Sequence, residues 1–138
     1  MLGRIKTSNR PLLGPVAFGI SQTELGERVS VISIEGELDL LTAPRLKWML
    51  LDSLTAGRDR LVVDLSLASF MDSTALGVLL GVERTLGVSA CLAIVCTAPN
   101  VLKIFELAGL DGMFAIYPTL DEALAYAQDT KRLGDRQS

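Results

Sequence analysis

Short runs of Val, Ile, Leu and Ala alternate along this chain with helix openings that carry their own cap residues, and that alternation limits the fold more than any other feature. Residues 16–21 read as a weak first strand and 28–35 as a stronger one, with a turn around Gly26 making the two a hairpin. Thr42-Ala43-Pro44 opens a helix, with Thr42 as cap and Pro44 in the first turn, where a missing N–H costs nothing. It runs to about Ala56, ends near Gly57, and turns Leu46, Met49, Leu50, Ser53 and Leu54 inward. A short apolar strand over 61–65 precedes a helix over 74–86 that Gly87 stops. Residues 90–95 form the next strand. Thr97-Ala98-Pro99 opens a third helix through Ala108, with Gly109 as its stop. A last strand covers 114–117, and Thr119 with Glu122 matches a capping box before a final helix. Strands separated by helices call for an α/β fold: a mostly parallel sheet of four to five strands with an N-terminal β-hairpin, packed with about four helices.

The 138 residues suit one domain over 16–128. Residues 1–15, with Arg4, Lys6, Arg10 and no acid, read as a flexible arm, and 129–138 as a polar tail. A formal charge of −3 without a basic run argues against nucleic acid as a direct partner. The chain has no histidine, which removes Ser-His-Asp and Cys-His catalysis and the usual zinc and iron ligand sets. No metal and no cofactor is expected: Asp64 and Asp72 lack further ligands in a recognisable pattern, and no phosphate-binding glycine loop or dinucleotide fingerprint occurs. Neither a secretory signal nor a membrane-spanning run is evident, so a cytoplasmic protein with no membrane association is expected. If Cys91 and Cys96 share one strand, their spacing puts them on opposite faces, too far apart to pair, and two buried thiols are expected.

In a parallel sheet the C-terminal strand ends and the N-termini of the following helices line one edge, the usual place for ligands and partners. That edge gathers Glu37, Asp39 and Thr42, then Asp72, Ser73 and Thr74, then Thr97. Ser73 is the expected N-cap of the second helix, its hydroxyl at the positive end of the helix dipole, where an added anion is tolerated. Taken alone, Asp72-Ser73-Thr74 before a helix asks for nothing beyond a capping serine.

The segment Phe70-Met71-Asp72-Ser73-Thr74-Ala75-Leu76-Gly77 resembles the switch region of STAS domains (sulfate transporter and anti-sigma factor antagonist). Three further blocks resemble that family in the same order. They are Gly36-Glu37-Leu38-Asp39 with Thr42-Ala43-Pro44, then Leu61-Val62-Val63-Asp64-Leu65, and then the stretch from Pro99 to Leu110. The likeness covers about residues 28–127. It implies an anti-sigma factor antagonist, a regulatory protein and not an enzyme. Unphosphorylated, it binds an anti-sigma factor with serine kinase activity and so releases a sigma factor. Phosphorylation of the serine ends binding, and a serine phosphatase resets it. By position in the motif the acceptor is Ser73, with Asp72, Thr74, Asp39, Glu37, Thr42, Ala75 and Leu76 as partner-binding or switch residues; the expected state is a monomer or weak dimer. The family usually carries glycine where this chain has Ala75: inside the helix an alanine is harmless, but where a partner's backbone must approach, its methyl group retunes binding.

Two rival readings use the same residues. In one, the domain is a scaffold or accessory subunit of a sensor complex or transporter, with Ser73 only a cap. In the other, Ser73 is an enzyme's nucleophile, which without histidine requires a lysine base, and no lysine neighbours the motif. Gly77 and Gly81 fall on one helix face, equally suited to a partner's groove or to close packing on the sheet. Trp48, the only tryptophan, falls off the inner stripe of its helix and reads either as an interface anchor or, the expectation preferred, as a partly buried surface residue.

Overall fold

The computed structural model describes the backbone of residues 4–8 and the whole of residues 18–129. Its elements follow in the order β1 (Arg4–Ser8), β2 (Gly19–Leu25), β3 (Val29–Leu38), α1 (Ala43–Thr55), β4 (Arg60–Met71), α2 (Ser73–Thr85), β5 (Cys91–Val95), α3 (Pro99–Leu107), β6 (Ala115–Tyr117) and α4 (Leu120–Gln128). The strands lie side by side in sequence order. β2 and β3 are antiparallel, joined at a turn where Gly26 holds φ +58, which suits glycine. From β3 to β6 every pairing is parallel, as the helix between each strand and the next requires. The expected α/β sheet with its hairpin and four helices is present. β1 adds a strand inside the stretch read as an arm, pairing antiparallel with β2 from Arg4 opposite Glu24 to Ser8 opposite Ile20.

The sheet is covered on both faces, which explains why its strands are nearly continuous Val, Ile, Leu and Ala. On one face Ile32, Ile34, Leu61, Val63, Leu92 and Ile94 pack under α1, α2 and α3, whose buried residues include Leu46, Leu50, Leu79 and Phe105. On the other, Val31, Val62, Ala93 and Val95 meet Ala123 and Ala127 of α4. Adjacent residues fall into opposite clusters because strand side chains alternate. Cys91 therefore lies on the α4 side and Cys96 on the other; both are buried and no disulfide joins them, as their spacing predicts.

The largest departure from the sequence expectation is β4, which does not end at Leu65 but continues to Met71. Against β3 it carries two register shifts, between Ser33 and Glu35 and between Gly36 and Glu37, each placing one extra residue on β4. These bulges change the buried spacing from two to three, so that Leu65, Ala68 and Met71 point inward while Leu67 and Phe70 are exposed. Gly36 sits at the second shift with φ +94, a conformation that a side chain there would strain. The result brings the ends of β3 and β4 level, with Leu38 opposite Met71.

Candidate functional site

Two loops leave the sheet together at this point. The Asp72 N–H donates to the Leu38 carbonyl at 3.1 Å, so the start of α2 is tied to the end of β3. Asp72 is extended, and its Oδ1 accepts from the backbone N–H groups of Thr74 at 2.9 Å and Ala75 at 3.2 Å. The helix cap is thus Asp72 and not Ser73. The reason is geometric: an N-cap is non-helical, whereas Ser73 already belongs to the first turn. Ser73 is exposed, and its hydroxyl has no hydrogen-bond partner among the described residues. A free hydroxyl stands at the positive end of a helix of 13 residues.

The loop after β3 is held by Thr42 and Asp39. Thr42 Oγ1 accepts from the Asp39 N–H and donates to the Glu37 carbonyl, each at 2.8 Å. Asp39 Oδ1 accepts from the N–H groups of Leu41 at 2.9 Å and Thr42 at 3.1 Å, and lies 3.2 Å from the Thr42 hydroxyl. Thr42 occupies the N-cap position of α1, but its side chain makes no capping bond; it turns back to tie the loop to β3. Glu37 is exposed at the strand end, and Asp39 is half-buried. Two acids, Asp39 and Asp72, therefore flank the Leu38–Asp72 bond with their carboxylates already fixed by backbone N–H groups.

The remaining expected residues divide between surface and core. Thr74 is exposed beside Ser73. Ala75, at 0% exposure, and Leu76 are packed in the core, so they support the site from beneath and present nothing at its surface. The methyl group of Ala75 sits inside the helix, where it is compatible with the fold. Thr97 is exposed, but the cap position of α3 is Ala98, which has no side chain to use. α3 is joined to the site differently: Asn100 Nδ2 donates to the Ser69 carbonyl at 2.9 Å, tying the start of α3 to the end of β4.

Sequence reasoning passed over an apolar collar around these groups. Leu40 is 65% exposed and Leu41 83%, on the loop between β3 and α1, and Phe70 is 44% exposed at the end of β4. The available signal was Leu40-Leu41 between Asp39 and Thr42, two large apolar side chains in a turn where polar residues are the rule. Trp48 is 70% exposed, more than the partial burial expected of it. Gly77 and Gly81 face away from the sheet into an open groove between α1 and α2, so close packing on the sheet does not explain them. Among the described residues no three Cys, Asp or Glu side chains converge as a metal site, and Asp64 is engaged by the Ser66 N–H and hydroxyl. No helix among them is long and apolar enough to cross a membrane.

Comparison with known proteins agrees with this architecture. Residues 21–123 match the family model described as the STAS domain. The anti-sigma-F factor antagonist RsfB of Mycobacterium tuberculosis is 33% identical over 96 residues, which cover 70% of this chain and 79% of that protein. The anti-sigma-B factor antagonist of Staphylococcus aureus is 28% identical over 96 residues, covering 69% of this chain and 89% of its own. The crystal structure of an anti-sigma factor antagonist from Mycobacterium paratuberculosis superposes with a TM-score of 0.76 at 34% identity, over 86% of this chain and all of that one.

Proposed function

This chain belongs to the STAS domain family, and we propose that within it the protein is an anti-sigma factor antagonist switched by phosphorylation of Ser73. Unphosphorylated, it binds an anti-sigma factor that is also a serine kinase, and the sigma factor held by that partner is released. The observation that carries this reading is the unengaged, exposed Ser73 hydroxyl, left free because Asp72 caps α2 in its place. The partner supplies ATP. Ser73 Oγ attacks the γ-phosphorus, the bond to the β-phosphate oxygen breaks, ADP leaves, and the serine proton is lost to the kinase's base or to water. A metal-dependent serine phosphatase hydrolyses the ester and restores the hydroxyl.

The physical effect of the modification differs for the fold and for the complex. Phosphate adds roughly −1.5 to −2 charges at pH 7. At the first residue of α2 this charge meets the positive helix end, so the fold accepts it. To a partner seated on the collar of Leu40, Leu41 and Phe70, the same charge joins Glu37, Asp39 and Asp72 on one edge and must be desolvated there. A change of ~1.4 kcal/mol is tenfold in affinity, so a switch of this kind needs no refolding.

The test is incubation of the purified protein with ATP and the kinase-type anti-sigma factors of its own genome, reading the intact mass. A gain of one phosphoryl group that Ser73→Ala abolishes is the expected result. Tight binding without modification would leave an antagonist that lacks the switch. Neither binding nor modification would overturn the reading in favour of a scaffold or accessory role.

A further inference from the structure

Gly77 and Gly81 lie inside α2, both exposed, and a Cβ built at either one meets no atom within 4 Å. Glycine inside a helix lowers its stability relative to alanine, and nothing in this fold requires the space the two glycines leave. The space is the floor of the groove between α1 and α2, whose apolar lining comes from Leu51, Val78 and Val82. On the α1 side Lys47 borders the groove; it is exposed, and among the described residues its ammonium has no ion-pair partner. No carboxylate lines the groove. Thr74, the residue after Ser73, lines the N-terminal end of the groove, and Ser73 stands one turn before Gly77 on α2, so the groove ends beside Ser73.

We propose that this groove receives an amphipathic helix of the anti-sigma factor, lying close over Gly77 and Gly81 and presenting a carboxylate to Lys47. This rests on the antagonist reading above and names the element of the partner that the switch displaces. Two glycines one turn apart between two helices leave a channel that fits a helix backbone at close approach, a recurring mode of recognition. The charge favours a partner over a second copy of this chain. A symmetric contact through the groove would bring both Lys47 side chains to a lining that holds no acid. Phosphate on Ser73 stands one turn from Gly77, at the mouth of the groove, so its charge and bulk act on the docked helix itself.

The experiment uses the anti-sigma factor that binds this protein, saturated with a non-hydrolysable ATP analogue, and measures its affinity for wild type, for Gly77→Ala/Gly81→Ala and for Lys47→Glu. Thermal unfolding of each is recorded alongside, and Ser73 phosphorylation is followed separately with ATP. The double alanine variant is expected to melt higher than wild type yet bind roughly ten- to hundredfold more weakly, as overpacking of a fitted surface does. Lys47→Glu is expected to keep its melting temperature and also lose affinity. Unchanged affinity in both variants, with Ser73 still phosphorylated, would overturn the groove proposal and leave the antagonist reading standing. Self-association of wild type that the double alanine variant abolishes, with binding to the anti-sigma factor intact, would likewise overturn it by naming a second copy as the occupant. Failure of wild type both to bind and to be modified would remove the antagonist reading and this inference together.

Discussion

The Asp72 carboxylate closes over the Thr74 N–H at 2.9 Å, and Ser73 is the residue enclosed between them. The acid before the serine is thus a structural clamp on the helix end, and its removal has two separable effects. Asp72→Ala is expected to lower stability by about 1 kcal/mol through the lost cap, while Asp72→Asn retains most of it, because asparagine caps nearly as well. Denaturant titration of the two variants checks this. Equal losses would mean that the charge on the helix dipole, and not the capping bond, is what matters.

Ser73 itself bears no structural bond, so stability and binding should respond to it in different directions. Ser73→Ala is expected to change unfolding free energy by no more than about 0.5 kcal/mol. Ser73→Glu, an acid in the first turn, is expected to leave stability equal or slightly higher. Both are expected to melt no lower than wild type, while on the proposed antagonist reading only Ser73→Glu is expected to lose affinity for the anti-sigma factor. A Ser73→Glu protein that unfolds early would show that the site does not accept an anion.

Thr42 holds the second loop of the site with one hydroxyl that accepts from Asp39 and donates to Glu37. Thr42→Val keeps the shape and removes both bonds, leaving the Asp39 N–H without the hydroxyl it donates to; the expected cost is about 1–3 kcal/mol. Thr42→Ser keeps the hydroxyl and should recover most of it. Backbone amide exchange at Asp39, faster in Thr42→Val and near wild type in Thr42→Ser, reports whether the loop is what loosened.

How far the sequence disclosed this site depended on whether local pattern or long-range register set the geometry. The helix starts at Pro44, Pro99 and Thr119 were legible because proline and capping residues act within a single turn; Thr119 does accept from the Glu122 N–H, at 3.2 Å. The cap of α2 was not, since Asp72 and Ser73 are both good caps and only the extended backbone of Asp72 decides between them. The second half of β4 escaped for a different reason. Its two bulges against β3 space Leu65, Ala68 and Met71 by three, and no period-two reading can recognise that as a strand. The same bulges aim Phe70 outward and set Asp72 beside Leu38, so the part of the site that was hidden was hidden by strand pairing.

Cys96 directly follows β5, on the face covered by α1, α2 and α3, 3% exposed, with its sulfur 4.0 Å from the Ala98 carbonyl oxygen. Burial pushes the thiol pKa up, because the thiolate would lose its hydration there. The folded protein therefore holds this proton more tightly than the unfolded chain, where a cysteine titrates near about 8.5. The stability contributed is fully present below that pH and is lost as pH rises through the raised folded value, since only the unfolded state ionises in between. Urea midpoints of wild type and Cys96→Ala, measured from neutral pH to about pH 10, isolate this contribution, because Cys91, the tyrosines and the lysines are common to both proteins. The wild-type curve is expected to fall more steeply above the unfolded thiol range, narrowing the gap between the two. Parallel curves over the whole range would mean that the thiol reaches water in the folded state, and that the β5–α3 junction is looser than its packing.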